Sequence, residues 1–153
     1  MSPILNEYIE RLPGYMSQLQ QMQTHSRQEP GSELPTAGIY VFYKDGVPQY
    51  VGRTGRLKAR LREHGSKSSS HYSASFAFLL AKEQAAQNGV DCKRKRGDLQ
   101  VCPLFKPFFC AAKDKVAAME FRYVKVEDPI EQTLFEVYAA VELKTLYNKF
   151  DPH

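Results

Sequence analysis

Gly38-Ile39-Tyr40-Val41-Phe42-Tyr43-Lys44-Asp45-Gly46-Val47-Pro48-Gln49-Tyr50-Val51-Gly52 is the stretch that decides the fold of this chain. Asp45-Gly46 between strand-forming residues is a strong hairpin signal. Residues 37–43 and 47–53 are therefore expected as paired strands, which sets Gly38-Ile39-Tyr40 beside Tyr50-Val51-Gly52. Arg53, Arg56, Lys58, Arg60 and Arg62 follow directly. Two tyrosines next to a run of cations suit an anion, and the pattern favours a phosphodiester.

Working outward, Leu57 and Leu61 mark a short amphipathic helix ending at Gly65, followed by a serine-rich loop over 66–75. Residues 76–87 read as a helix stopped by Asn88-Gly89, and Lys93-Arg94-Lys95-Arg96 as an exposed basic loop. Pro103 and Pro107 leave 99–112 without a definite assignment, although Phe105, Phe108 and Phe109 call for burial. Residues 119–126 alternate as a third strand, with Phe121 and Tyr123 on one face and Arg122, Val124 and Val126 on the other. Asp128 as N-cap and Pro129 at the first helical position open a helix to about Lys144, with Ile130, Leu134, Val137 and Val141 as its expected apolar stripe.

Before the hairpin, Ile4, Tyr8 and Leu12 recur at helical spacing up to Pro13-Gly14, and Tyr15, Leu19 and Met22 resume the pattern. This predicts a helical arm over residues 1–35 ahead of a domain at 36–153, with an insertion at about 66–118. The fold class expected is α+β: a small domain with a three-stranded, mainly antiparallel sheet flanked by helices.

A chain of 153 residues buries one sizeable core. An apolar fraction of 42% with 25% charged residues describes a globular domain, and no apolar run approaches the roughly 20 residues of a membrane span. Residues 1–13 are amphipathic, with Glu7 and Glu10, unlike a signal peptide; a cytoplasmic protein with no membrane partner is expected. Cys92, Cys102 and Cys110 are odd in number and too widely spaced for a zinc site, so they read as reduced structural thiols. The net charge of +4 is modest but uneven: residues 53–67 carry six basic side chains against one acid, Glu63. A run of this kind is either a solvated helix face or a nucleic-acid contact.

The accumulated pattern resembles the GIY-YIG nuclease superfamily, over about residues 37–149. That family has a GIY strand, a YIG or YVG strand about ten residues later, an arginine on the next helix, a glutamate on a later helix and an asparagine beyond it. Tyr40, Tyr50, Arg60, Glu136 and Asn148 occupy those places here. Arg60-Leu61-Arg62-Glu63-His64 is similar to the restriction-type branch, in which a histidine at this position belongs to the active site.

The resemblance implies a divalent-metal-dependent endonuclease. Tyr40 is the implied general base, Tyr50 positions water or substrate, and Glu136 holds Mg2+, or Mn2+. A phenol with an ordinary pKa of about 10 is a useful base near neutrality only beside positive charge. Arg60 suits transition-state charge through two parallel hydrogen bonds. Arg62, two residues on, faces elsewhere and reads as a backbone contact or a solvated charge. His64, one turn after Arg60, is expected to accept a proton from Tyr40 or to orient it.

One glutamate suffices for a hydrated magnesium ion. Glu131 lies about 140° round the helix from Glu136 and so cannot pair with it as a ligand. Asn148 holds the site through its amide or stabilises a turn. Arg53 stands where many members carry lysine.

Arg53, Arg56, Lys58, Arg62, Lys93, Arg94, Lys95 and Arg96 are the candidate phosphate contacts. His71 and Asp151-Pro152-His153 carry no assignable chemistry, although His153 lies near enough to the motif end to approach DNA. DNA is the expected partner, with RNA left open; double-strand cleavage calls for a homodimer or for sequential nicks. Two alternatives stand beside this reading: a nucleic-acid-binding module of the same fold, and a nuclease subunit recruited through the residue 4–24 helix.

Overall fold

A computed structural model describes residues 1–150. Within it the protein is an α+β fold of six helices and a three-stranded antiparallel sheet. The elements run α1 (Pro3–Gln21), β1 (Gly38–Lys44), β2 (Val47–Thr54), α2 (Leu57–His64), α3 (Ser75–Gln87), α4 (Arg96–Gln100), α5 (Lys106–Ala117), β3 (Glu120–Lys125) and α6 (Pro129–Leu143). They form two compact units: residues 1–58 with 120–150, which hold the sheet, and residues 59–119, which are helical. Among the described residues no helix is long and apolar enough to cross a membrane.

In the sheet unit the strand order is β2-β1-β3. Asp45 and Gly46 both take positive φ, 51° and 78°, as a tight two-residue hairpin turn requires. The β1–β2 register sets Tyr40 opposite Gly52 and Phe42 opposite Tyr50, with a bulge after Phe42. On the other side of β1, Tyr40 faces Tyr123 and Phe42 faces Phe121. Directly opposed residues share a sheet face. Tyr40, Phe42, Tyr50, Phe121 and Tyr123 therefore line one face, where Phe42 meets both Tyr40 and Phe121 edge-on. The other face carries Ile39, Val41, Tyr43, Val51 and Val124, which form one core with Leu12, Met16 and Leu19 of α1 and Phe135, Ala139 and Ala140 of α6.

Two expectations are corrected here. The N-terminal helix is not an arm: α1 runs unbroken through Pro13 and buries Leu12, Met16 and Leu19 in the sheet's own core. That packing outweighs the helix-breaking tendency of a single proline. The recruiting surface expected of residues 4–24 is, along this stripe, covered by the chain itself. The stripe of α6 is also shifted. Ile130, Val137 and Val141 are exposed, while Glu131, Gln132, Phe135, Ala139 and Ala140 are buried.

The polar residues of that buried face are satisfied. Glu131 accepts hydrogen bonds from Arg11 Nε at 2.6 Å and Tyr15 Oη at 2.8 Å. Gln132 donates to the Val126 carbonyl at 2.6 Å and the Thr54 carbonyl at 3.4 Å. As expected, Asp128 caps the helix, accepting from the N–H groups of Ile130 and Glu131, and Tyr8 Oη donates to it at 3.2 Å. Those bonds to backbone N–H groups hold the Asp128 carboxyl below the usual carboxylate range.

The helical unit resolves the ambiguous stretch. Residues 96–117 form two helices, α4 and α5, with Pro107 in the first turn of α5, where a missing N–H costs nothing. Phe78, Phe105 and Phe109 make its aromatic centre. The serine-rich segment is a series of turns pinned by a buried lysine: Lys113 Nζ donates to the carbonyls of Lys67 at 2.7 Å and Ser69 at 3.0 Å, and lies 4.3 Å from the centre of the Phe109 ring.

Candidate active site

The sheet unit brings three distant parts of the chain onto three consecutive residues of β2. The first is Tyr40 on Gly52. A Cβ at position 52 would overlap Cζ and Oη of the Tyr40 ring and lie 2.7 Å from its Cε2. The glycine of the second triplet is thus the seat of the tyrosine of the first. Gly38 is confined in the same way, since a Cβ there would collide with the Val124 carbonyl on β3. Both glycines are needed for close approach rather than for turning.

The second is Asn148 on Val51. As an edge strand, β2 presents one side of its backbone away from β1. Asn148 answers both groups of Val51 there: its Oδ1 accepts from the Val51 N–H at 2.7 Å and its Nδ2 donates to the Val51 carbonyl at 2.8 Å. Thr145 Oγ1 donates to the same Oδ1 at 2.8 Å, and the Tyr147 N–H donates to the Gln49 carbonyl at 3.1 Å. The side-chain amide mimics a peptide of a neighbouring strand. Sequence reasoning passed over Thr145; the Thr-x-x-Asn spacing was the signal that pointed to it.

The third is Glu136 on Arg53. Its carboxylate lies beside Arg53, with Oε2 4.0 Å from Arg53 Nε. Burial pushes the Glu136 carboxyl above its ordinary pKa, and Arg53 offsets this only in part. A carboxylate that has lost water and faces one distant guanidinium still favours a further cation. Among the described residues no group of three or more His, Cys, Asp or Glu side chains could hold a metal ion. A single carboxylate nevertheless meets the demand of a hydrated magnesium ion that takes its other ligands from water and phosphate.

Tyr40 is buried and Tyr50 half-buried on the same sheet face, whereas the pleat assigns Arg53, opposite Ile39, to the α6 face. The tyrosines and the Glu136 carboxylate therefore approach residues 51–53 from different sides. Glu131 belongs to the contact with α1.

Arg60 and His64 belong to the helical unit. The Arg60 guanidinium donates to the Ser73 carbonyl at 2.7 Å, to the Tyr72 carbonyl at 3.3 Å and to Ser75 Oγ at 3.1 Å, and lies 3.4 Å from Glu63. It organises the loop leading into α3. His64 is fully buried, and burial together with the Arg60 charge pushes its pKa down to about 3. A neutral imidazole of that kind can orient a hydroxyl by hydrogen bonding, but it is a poor store for a proton taken from a phenol.

Arg56, Lys58, Arg62 and Lys93 to Arg96 are all exposed, and Arg96 lies 4.7 Å from the centre of the Phe78 ring. His71 is buried, its Nδ1 2.7 Å from Gln100 Oε1. His153, expected near DNA, lies outside the described residues. Comparison of the chain with protein-family models, with curated proteins and with solved structures returns no match.

Proposed function

We propose that this protein is a GIY-YIG-type endonuclease that hydrolyses phosphodiester bonds in DNA with a divalent ion, Mg2+ or Mn2+. The observation that carries the reading is the convergence on β2: Tyr40 on Gly52, Asn148 on Val51 and Glu136 on Arg53. Tyr40, Glu136 and Asn148, with about a hundred residues between the first and the last, thereby meet three consecutive residues of one strand.

In this mechanism Tyr40 takes the proton of the attacking water, held in place by the Gly52 seat. Tyr50 orients water or substrate on the same sheet face. Asn148 keeps the β2 edge straight between them. Glu136 would hold the ion, which would supply positive charge against the phosphoryl oxygens. Arg53, half-exposed beside Glu136, contacts phosphate. The exposed cations at Arg56, Lys58, Arg62 and 93–96 hold the duplex backbone without reading bases.

Purified protein incubated with supercoiled plasmid and Mg2+ or Mn2+ is expected to nick or linearise it. Glu136→Ala should abolish cleavage with an unchanged circular dichroism spectrum, and Tyr40→Phe should slow it roughly a hundredfold or more. No cleavage by the intact protein, or wild-type cleavage by Glu136→Ala, would overturn the proposal.

The hydrogen bonds of Arg60 favour a second reading, a nucleic-acid-binding module without turnover, because that guanidinium is already engaged by loop carbonyls. Salt-dependent DNA binding with no product under either metal ion would establish it.

A further inference from the structure

The positive charge of the protein is not shared between its two units. The helical unit, residues 59–119, carries eleven Lys and Arg against five Asp and Glu, whereas the rest of the chain carries ten against twelve. The whole excess of +4 therefore comes from the helical unit, in which residues 64–82 and 92–97 hold no carboxylate side chain at all. A basic unit joined to a slightly acidic remainder is the electrostatic footprint of a polyanion partner.

One aromatic ring stands out from this unit. Tyr72 is 74% exposed, whereas the phenylalanines of the unit are all buried or half-buried. A single exposed ring is ordinary on a protein surface, but this one is held in place. The Tyr72 N–H donates to Ser70 Oγ at 3.3 Å, and its carbonyl accepts from the Arg60 guanidinium at 3.3 and 3.4 Å. The ring packs on that of buried His71, with 4.1 Å between centroids. His71 is fixed in turn by Gln100, whose Oε1 accepts from the His71 N–H at 2.6 Å and lies 2.7 Å from Nδ1. Behind His71, at 6.0 Å, is the Phe78 ring, on which Arg96 rests at 4.7 Å. Lys67, in the same serine-rich turns as Tyr72, and Arg96 are both exposed.

Phosphate contacts alone would leave such a ring unused. In a duplex each base is covered on both faces by its neighbours, so an exposed aromatic side chain gains by stacking only where a nucleotide is unpaired. We infer that Tyr72 is a stacking platform for an unpaired base and that the helical unit binds single-stranded DNA, with Lys67 and Arg96 on the flanking phosphates. The inference deepens the proposed function by naming its substrate class, DNA with an unpaired stretch. It rests on the nucleic-acid partner of that reading and not on catalysis.

Fluorescence anisotropy of a labelled oligothymidylate of about 12 nucleotides, and of a blunt duplex of the same length, tests it with the full chain at one ionic strength and without metal ion. The single strand should bind roughly tenfold tighter than the duplex. Tyr72→Ala, at an exposed position, should remove that preference with an unchanged circular dichroism spectrum, while Tyr72→Phe, which keeps the ring, should retain it. The chain contains no tryptophan, so Tyr72→Trp places its sole indole on the platform, and the single strand should quench that fluorescence more than the duplex does. Equal affinity for the two oligonucleotides, or a preference that survives Tyr72→Ala, would overturn the inference and leave the nuclease reading in place. Loss of the preference in Tyr72→Phe would overturn it as well, because the hydroxyl and not the ring would then make the contact. Binding to neither oligonucleotide would overturn it together with the DNA-directed reading.

Discussion

In the sheet unit, Asn148 meets the backbone of β2, Glu136 lies beside the Arg53 side chain of that strand, and Tyr40 rests on one of its glycines. In the helical unit, Arg60 and Lys113 meet carbonyls of the 67–73 segment instead. Both arrangements satisfy polar groups inside the protein. They differ in what depends on them. The first shapes a strand whose own residues are the candidate chemistry. The second organises loops from side chains that are themselves charged, so a chemical role for Arg60 must coexist with a structural one.

The sharpest way to break this contrast is Gly52→Ala, because the new methyl has only the Tyr40 ring to displace. It should cost about 3 kcal/mol of stability in urea unfolding. The cost should shrink when Tyr40 is also truncated, a coupling that independent sites do not show. Additive effects would mean that Tyr40 does not depend on Gly52. Asn148→Ala leaves both backbone groups of Val51 without a partner and should cost about 2 kcal/mol. Amide exchange should accelerate at Val51 more than at Val41, and equal acceleration would show general loosening rather than a local clamp.

The helical unit should respond to pH instead. His64 has a folded pKa near 3 against an ordinary 6.5, so between these values the unfolded chain binds more protons and stability falls as the solution is acidified. The slope contributed is at most about 1.4 kcal/mol per pH unit. Glu136 acts in the opposite sense: its raised pKa means that protonation on acidification relieves a burial penalty. Urea unfolding at pH 7 and pH 5 should show a loss that His64→Gln removes and Glu136→Gln does not. If His64→Gln leaves the slope intact, the imidazole is wetter than its burial indicates. The smallest effect is expected at the hairpin tip. Gly46→Ala, at φ 78° with open space around it, should cost about 1 kcal/mol from backbone strain alone.

Much of the fold could be read along the chain, because its signals are local. Asp45-Gly46 encodes its turn in two residues, and Asp128-Pro129 encodes a helix start in two more. The alternation of Phe121 and Tyr123 against Arg122 and Val124 encodes a strand with two faces. The misreadings came where a tertiary contact changed the meaning of a residue. Glu131 and Gln132 look like solvent-facing positions until Arg11, Tyr15 and the Val126 carbonyl satisfy them. Ile130, Val137 and Val141 look like core until that polar face takes the inside. Pro13 looks like a helix end until Leu12, Met16 and Leu19 are seen packed on both sides of it.

For the candidate site, the sequence by itself supplied the residue types and their order: two tyrosines on a hairpin, a basic run, a late glutamate and a later asparagine. Only the tertiary structure decided what each one touches. The Asn148 clamp and the Arg53 contact of Glu136 join residues far apart along the chain, and nothing in a local window records which segment will pass the edge of β2. The physical reason is that turn and helix-start preferences act within a few residues, whereas the pairing of an edge backbone group is settled by whichever segment the finished core carries past it.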